Sequence, residues 1–97
     1  MFILKTHNTD TGNIVAVSDS NLLGKRFEEN DTVLDISDDF YDGKKADIDT
    51  IISAISTCTS AIIIGDNIIS ELKKNNVLTP EHILFVSKTP YAMIFKV

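Results

Sequence analysis

Three observations predict an α+β fold in a single compact domain, with a mixed β-sheet, hairpins at both ends of the chain, and two main helices packed on the sheet. Residues 2–17 and 83–95 each read as two apolar, strand-forming runs separated by turn residues. Residues 47–59 and 66–74 carry apolar side chains at helical spacing. The 97 residues suffice for one hydrophobic core and not for two, so the domain is expected to span residues 1–97.

The elements follow in order. Phe2-Ile3-Leu4-Lys5-Thr6-His7 and Asn13-Ile14-Val15-Ala16-Val17 form the first hairpin around the turn chemistry of residues 8–12. Ser18, Asp19 and Ser20 offer oxygens that can cap a short helical turn through Leu22 and Leu23, which Gly24 ends by taking a positive φ. Residues 32–36 alternate as a strand with one polar, solvent-facing side, and residues 37–43 form a loop anchored by its aromatics. Ile48, Ile51, Ile52, Ile55 and Thr59 mark an amphipathic helix with Asp47 near its positive end.

Residues 61–64 (AIII) fit either a buried strand or a tight apolar connection. Asp66 is placed to cap a helix striped by Ile68, Ile69 and Leu72, with Lys73 and Lys74 at its negative end. Thr79 and Pro80 start a one-turn helix. Residues 83–86 and 92–95 then flank residues 87–91, and their near-unbroken apolarity predicts strands covered on both faces, or at least central in the sheet.

Composition narrows the chemistry. The formal net charge is −5, and eleven of the fourteen acids lie in residues 1–49 with five of the nine cations. An acidic chain disfavours nonspecific nucleic-acid binding but allows a local basic face. The single Cys58 precludes an internal disulfide and a multi-cysteine zinc site. Charged residues interrupt the first ten positions, and runs such as AIII fall far short of the ~20 residues that span a bilayer, so a cytoplasmic protein with no membrane contact is expected.

No catalytic signature emerges. Gly24-Lys25-Arg26 lacks the glycine spacing and the Ser or Thr of a P-loop, and G-x-G-x-x-G is absent. These residues are either a helix stop with two solvated cations or an anion contact. Asp38, Asp39 and Asp42 before Gly43 suggest calcium, but Phe40 stands where a calcium loop needs an oxygen ligand. His7 and His82 have no companion motif, and Cys58 has no base beside it. Phe40, Tyr41 and Tyr91 either pack loops onto the sheet or stack on bases.

The residues Leu22-Leu23-Gly24-Lys25, Phe40-Tyr41-Asp42-Gly43, Gly65 at a helix start, Pro80-Glu81-His82-Ile83 and Pro90 in a closing hairpin form a recognisable series. In this the chain resembles the archaeal family called domain of unknown function 424, across nearly its whole length. The resemblance implies a compact α+β domain in an archaeal cytoplasm, with no established activity. Ile62 stands where that family commonly has asparagine, and Tyr91 where it often has histidine, which removes two polar candidates for a shared site.

Together these readings favour a non-enzymatic binding module without cofactor or metal. It would contact RNA or a ribonucleoprotein through Gly24, Lys25, Arg26, Phe40, Tyr41, Gly43, Pro90 and Tyr91. The alternative is a protein-interaction or self-associating module using apolar surface near residues 61–64. A small hydrolase or metal-dependent enzyme is the weaker option. RNA binding requires Lys25, Arg26, Lys44 and Lys45 on one face, whereas an enzyme requires a pocket that holds His7 or His82 with carboxylates.

Overall fold

The computed structural model describes residues 2–95, excepting the side chains of Asp38 and Asp39. Strands β1 (Phe2–Thr9) and β2 (Gly12–Asp19) form the expected hairpin, paired from Phe2↔Asp19 to Thr9↔Gly12. A 3-10 turn (Ser20–Leu22) leads to β3 (Arg26–Glu29) and β4 (Thr32–Asp35), a separate two-stranded hairpin. Then come α1 (Asp38–Tyr41), β5 (Lys44–Ala46), α2 (Ile48–Thr57), β6 (Ser60–Ile64) and α3 (Asp66–Lys74). A second 3-10 turn (Pro80–His82) precedes β7 (Leu84–Val86) and β8 (Thr89–Phe95).

Six strands make one mixed sheet in the order β5-β1-β2-β6-β8-β7, with β2 and β6 parallel and the other pairs antiparallel. The 61–64 segment is therefore a strand, and a central one. Because side chains alternate along a strand, the register sorts residues onto two faces. Val15, Val17, Ala61, Ile63 and Ala92 meet Ile51, Ile55, Ile68, Ile69 and Leu72 of α2 and α3. Ala16, Ile64 and Tyr91 on the other face meet Leu34, Ile36 and Tyr41 of the β3–β4 hairpin and α1. This double cover buries every residue of β2 from Val15 to Asp19.

Several sequence expectations need correction. Asp19 does not cap the turn after it, which has no side-chain cap. It lies on the helix-bearing face and caps α3 instead: its Oδ2 accepts from the Asn67 N–H at 3.0 Å and its Oδ1 from the Ile68 N–H at 2.9 Å. Asp66 is the first helical residue, and Gly65 occupies the cap position at φ 130°. A Cβ at Gly65 would strike the Asp19 carboxylate, so glycine there satisfies both the backbone angle and the close approach. The α2 cap is as expected, with Asp47 Oδ1 accepting from the Thr50 N–H at 2.9 Å. That helix stops at Thr57, however. Thr59 instead anchors the start of β6 to β2, its N–H donating to the Asn13 carbonyl at 3.0 Å and its hydroxyl at 2.6 Å.

The last hairpin also differs. Its turn is the pair Ser87-Lys88, both in the left-handed region at φ 48° and 66°, so Pro90 and Tyr91 belong to β8 and not to a loop. Two positive-φ residues are what a two-residue hairpin turn requires, though glycine or asparagine would be less strained. The β3–β4 hairpin braces this turn: the Ser87 N–H donates to Glu29 Oε1 at 3.2 Å and the Ser87 hydroxyl to the Glu28 carbonyl at 2.9 Å.

Adjacent residues Ser18 and Asp19 should respond oppositely to truncation. Ser18 is buried and its hydroxyl has no partner among the described residues, so Ser18→Ala should be neutral or mildly stabilising. Asp19→Ala leaves the buried Ile68 amide and the half-buried Asn67 amide without their acceptor and should cost about 2 kcal/mol, with Asp19→Asn intermediate. Urea denaturation of the three variants measures this, and equal effects at the two positions would refute the assignment.

Candidate functional site

The residues singled out by sequence do not converge on one surface. Gly24 is in the left-handed region at φ 86°, with its N–H on the Ile36 carbonyl at 2.7 Å, which fits a turn terminator. Arg26 opens β3 opposite Asp35 and is ion-paired to Glu28 at 2.9 Å. Lys25 is exposed beside it. Lys44 and Lys45 lie on β5, at the free edge of the main sheet. They line a cavity that Lys25 and Arg26 do not reach.

The aromatics act in packing. Phe40 stacks on the His7 ring with centroids 4.4 Å apart, and the His7 Nε2–H donates to the Phe40 carbonyl at 2.9 Å. Tyr41 meets Phe40 edge-on at 5.2 Å and is buried in the cluster that holds Ala16, Leu34 and Ile36. Tyr91 is buried between Ile64 and Leu84 in the sheet. Neither tyrosine presents an open ring face for stacking on a base. Gly43 lets β5 approach β1, since a Cβ there would collide with the Leu4 carbonyl oxygen. Pro90 is buried, and its carbonyl accepts from the Gly65 N–H at 3.0 Å.

No three His, Cys, Asp or Glu side chains come together as a metal site among the described residues; the side chains of Asp38 and Asp39 lie outside that set. Three surface cavities are outlined, and neither His7 nor His82 lines any of them. Cys58 is buried, with its thiol directed to the Ile55 carbonyl. No helix among the described residues is long and apolar enough to cross a membrane.

The surface that does stand out was read from the sequence as covered. Leu84 is 50% exposed, Phe85 64%, Met93 46% and Phe95 74%, and all four lie on the β7–β8 edge. Among the described residues Val33 is the other exposed large apolar side chain. Alternation puts Leu84, Met93 and Phe95 on the face away from α2 and α3, beyond the reach of the β3–β4 cover. Phe85 points to the other face. There, with Ile69, Lys73, Pro80, Ile83 and Pro90, it lines a groove of about 310 Å³ between α3 and the hairpin. The β7 strand pairs with β8 only as far as Tyr91, so β8 has no strand neighbour on its outer side over the following residues.

The family described as "Protein of unknown function (DUF424)" matches residues 6–97. The chain belongs to this family. No curated protein matches it. Among solved structures, an uncharacterized conserved protein from Methanopyrus kandleri is similar in fold, with a TM-score of 0.76 and 22% identity. That alignment covers 96% of this chain and 89% of the other. The α+β sheet-and-helix arrangement is thus shared by this DUF424 domain and that protein, and at such identity the likeness concerns the fold alone.

The buried Tyr41 gives the domain an alkaline signature. Burial, with the Asp35 charge second, pushes its phenol from 10.0 up to about 12. The unfolded chain releases this proton near pH 10 while the folded chain retains it. The stabilisation is therefore complete below pH 10 and is lost as pH rises towards 12. Denaturation curves between pH 8 and 12 should show this decline in the wild type and a shallower one in Tyr41→Phe. Identical slopes would contradict the assignment.

Proposed function

We propose that this DUF424 domain is a protein-interaction module that engages its partner along the β7–β8 edge. The observation that carries this reading is the concentration of exposed Leu84, Phe85, Met93 and Phe95 on one sheet edge whose outer strand side is incompletely paired. Exposed apolar side chains in isolation are ordinary, whereas a cluster on an open edge suits docking. An extended segment added beside β8 would continue the backbone ladder and set its own apolar side chains against Met93 and Phe95.

The charge balance selects the kind of partner. Two copies at net −5 repel, while a net-basic protein carrying an apolar extended segment is steered towards this acidic domain. Glu29, whose Oε1 accepts from the Ser87 N–H, supplies negative charge next to the docking edge. Direct RNA contact through Lys25 and Arg26 has less support, since Arg26 is engaged by Glu28 and the two tyrosines are buried.

A photo-crosslinking residue at position 85 or 95, with position 10 on the opposite hairpin tip as control, tests this in cells. Adducts with a basic protein are expected at 85 and 95 and not at 10. The purified partner should bind the wild type saturably and Phe85→Ser/Phe95→Ser at least about tenfold more weakly. Adducts only with a second copy of the chain, or equal binding by the variant, would overturn the proposal.

A further inference from the structure

On its helix-facing side the β7–β8 hairpin forms, with α3, the groove of about 310 Å³. The register builds the hairpin wall. Phe85 pairs with Pro90, whose carbonyl accepts from the Gly65 N–H, so this pair stands beside the start of α3. Ile83 is extended and two residues before Phe85, which puts it on the same face, packed against the helix-side core. The opposite wall is one stripe of the helix. Asp66, Ile69, Ser70 and Lys73 recur at i, i+3, i+4 and i+7, the spacing that lines up one side of an α-helix, and all four line the groove. Ile69 is buried, while Asp66, Ser70 and Lys73 are exposed. Opposite charges are thus set two turns apart, about 10 Å along the helix axis, beside an apolar wall. Neither Asp66 nor Lys73 is ion-paired among the described residues. The neighbouring charges are engaged elsewhere, Lys74 with Glu71 at 3.9 Å and Glu81 with the Thr79 hydroxyl at 2.9 Å.

We propose that this groove selects the sequence of the partner's extended segment: a lysine or arginine, a large apolar residue two positions on, and an aspartate or glutamate two positions after that. The inference rests on the docking reading and names the chemistry of the segment that docks. In an extended chain, residues i, i+2 and i+4 point to one side and span about 13 Å at about 3.3 Å per residue. The flexible side chains of Lys73 and of the incoming cation take up the difference from the helix spacing. The central residue then enters the groove between Ile69 and Phe85, with the cation on Asp66 and the acid on Lys73. A segment with cations at both ends would set one of them against Lys73, so the lysine rejects as well as attracts. A net-basic partner therefore has to carry an acid at this one position.

The probes are two blocked pentapeptides, acetyl-Lys-Ala-Leu-Ala-Glu-amide and acetyl-Lys-Ala-Leu-Ala-Lys-amide, titrated into isotope-labelled protein at constant ionic strength and followed by amide chemical shifts. Saturable shifts at residues 66, 69, 70, 73, 83 and 85 are expected with the first peptide, which should bind at least about fivefold more tightly than the second. Lys73→Glu should reverse that order. Lys45→Glu, the same change of net charge at the far edge of the sheet, should keep it. Absence of saturation, equal affinity of the two peptides for the wild type, or an unreversed order in Lys73→Glu would overturn the proposal. The crosslink at position 95 is read separately. Its absence overturns the docking reading and this one with it, whereas an adduct at 95 together with equal peptide affinities overturns the role of the groove alone.

Discussion

A single buried carboxylate ties the two halves of this molecule together. Asp19 ends β2, and its two oxygens receive the first free amides of α3, which begins 47 positions later in the chain. A helix N-terminus buried without such partners would leave unpaired donors, so the position of α3 over the sheet depends on Asp19 being there. Gly65 serves the same contact from the other side. It turns the chain at the end of β6, its N–H is held by Pro90 of β8, and its missing side chain makes room for the carboxylate. Strands β2, β6 and β8 and helix α3 are therefore joined at one point, and the Ile68, Ile69 and Leu72 stripe is carried down onto Val17 and Ile63 from it.

With α2 and α3 fixed on one face, the other face has to be covered by shorter pieces. The β3–β4 hairpin and α1 bury Ile64, Tyr91 and Val86 but are too small to extend across the sheet. Ile62 is left half-buried, and Met93 and Phe95 remain open. The exposed edge is thus a consequence of a cover that ends early. The same hairpin braces the strained Ser87-Lys88 turn, which sets the register of β7 with β8.

Much of this was legible in the sequence, and the failures share a cause. The α2 helix announces itself through local spacing and a cap three residues from its donor, both visible in a short window. The terminal hairpins are likewise local. Asp19 was misassigned because its partners are 48 and 49 positions away, and a nearby turn offered a plausible local use. Arg26–Glu29 and Lys44–Ala46 were missed as strands because charged or short edge strands carry almost no apolar alternation. Gly24 was readable as a turn former, since positive φ is a property of the residue itself. The exposed apolar edge was hidden for another reason. An apolar strand looks the same in sequence whether its own chain or a partner covers it, so Met93 and Phe95 read as core.

The charge pattern gains meaning only when placed on the sheet. Spread along the sequence, five cations among eleven acids in residues 1–49 suggest a solvated surface. In the fold, Arg26 is taken up by Glu28, while Lys44 and Lys45 are carried to the β5 edge beside Lys5. The two open ends of the sheet thus differ in kind. One offers apolar side chains and an unfinished strand edge, suited to a polypeptide. The other ends in the three-residue strand β5, where Lys44 and Lys45 are exposed on alternate faces.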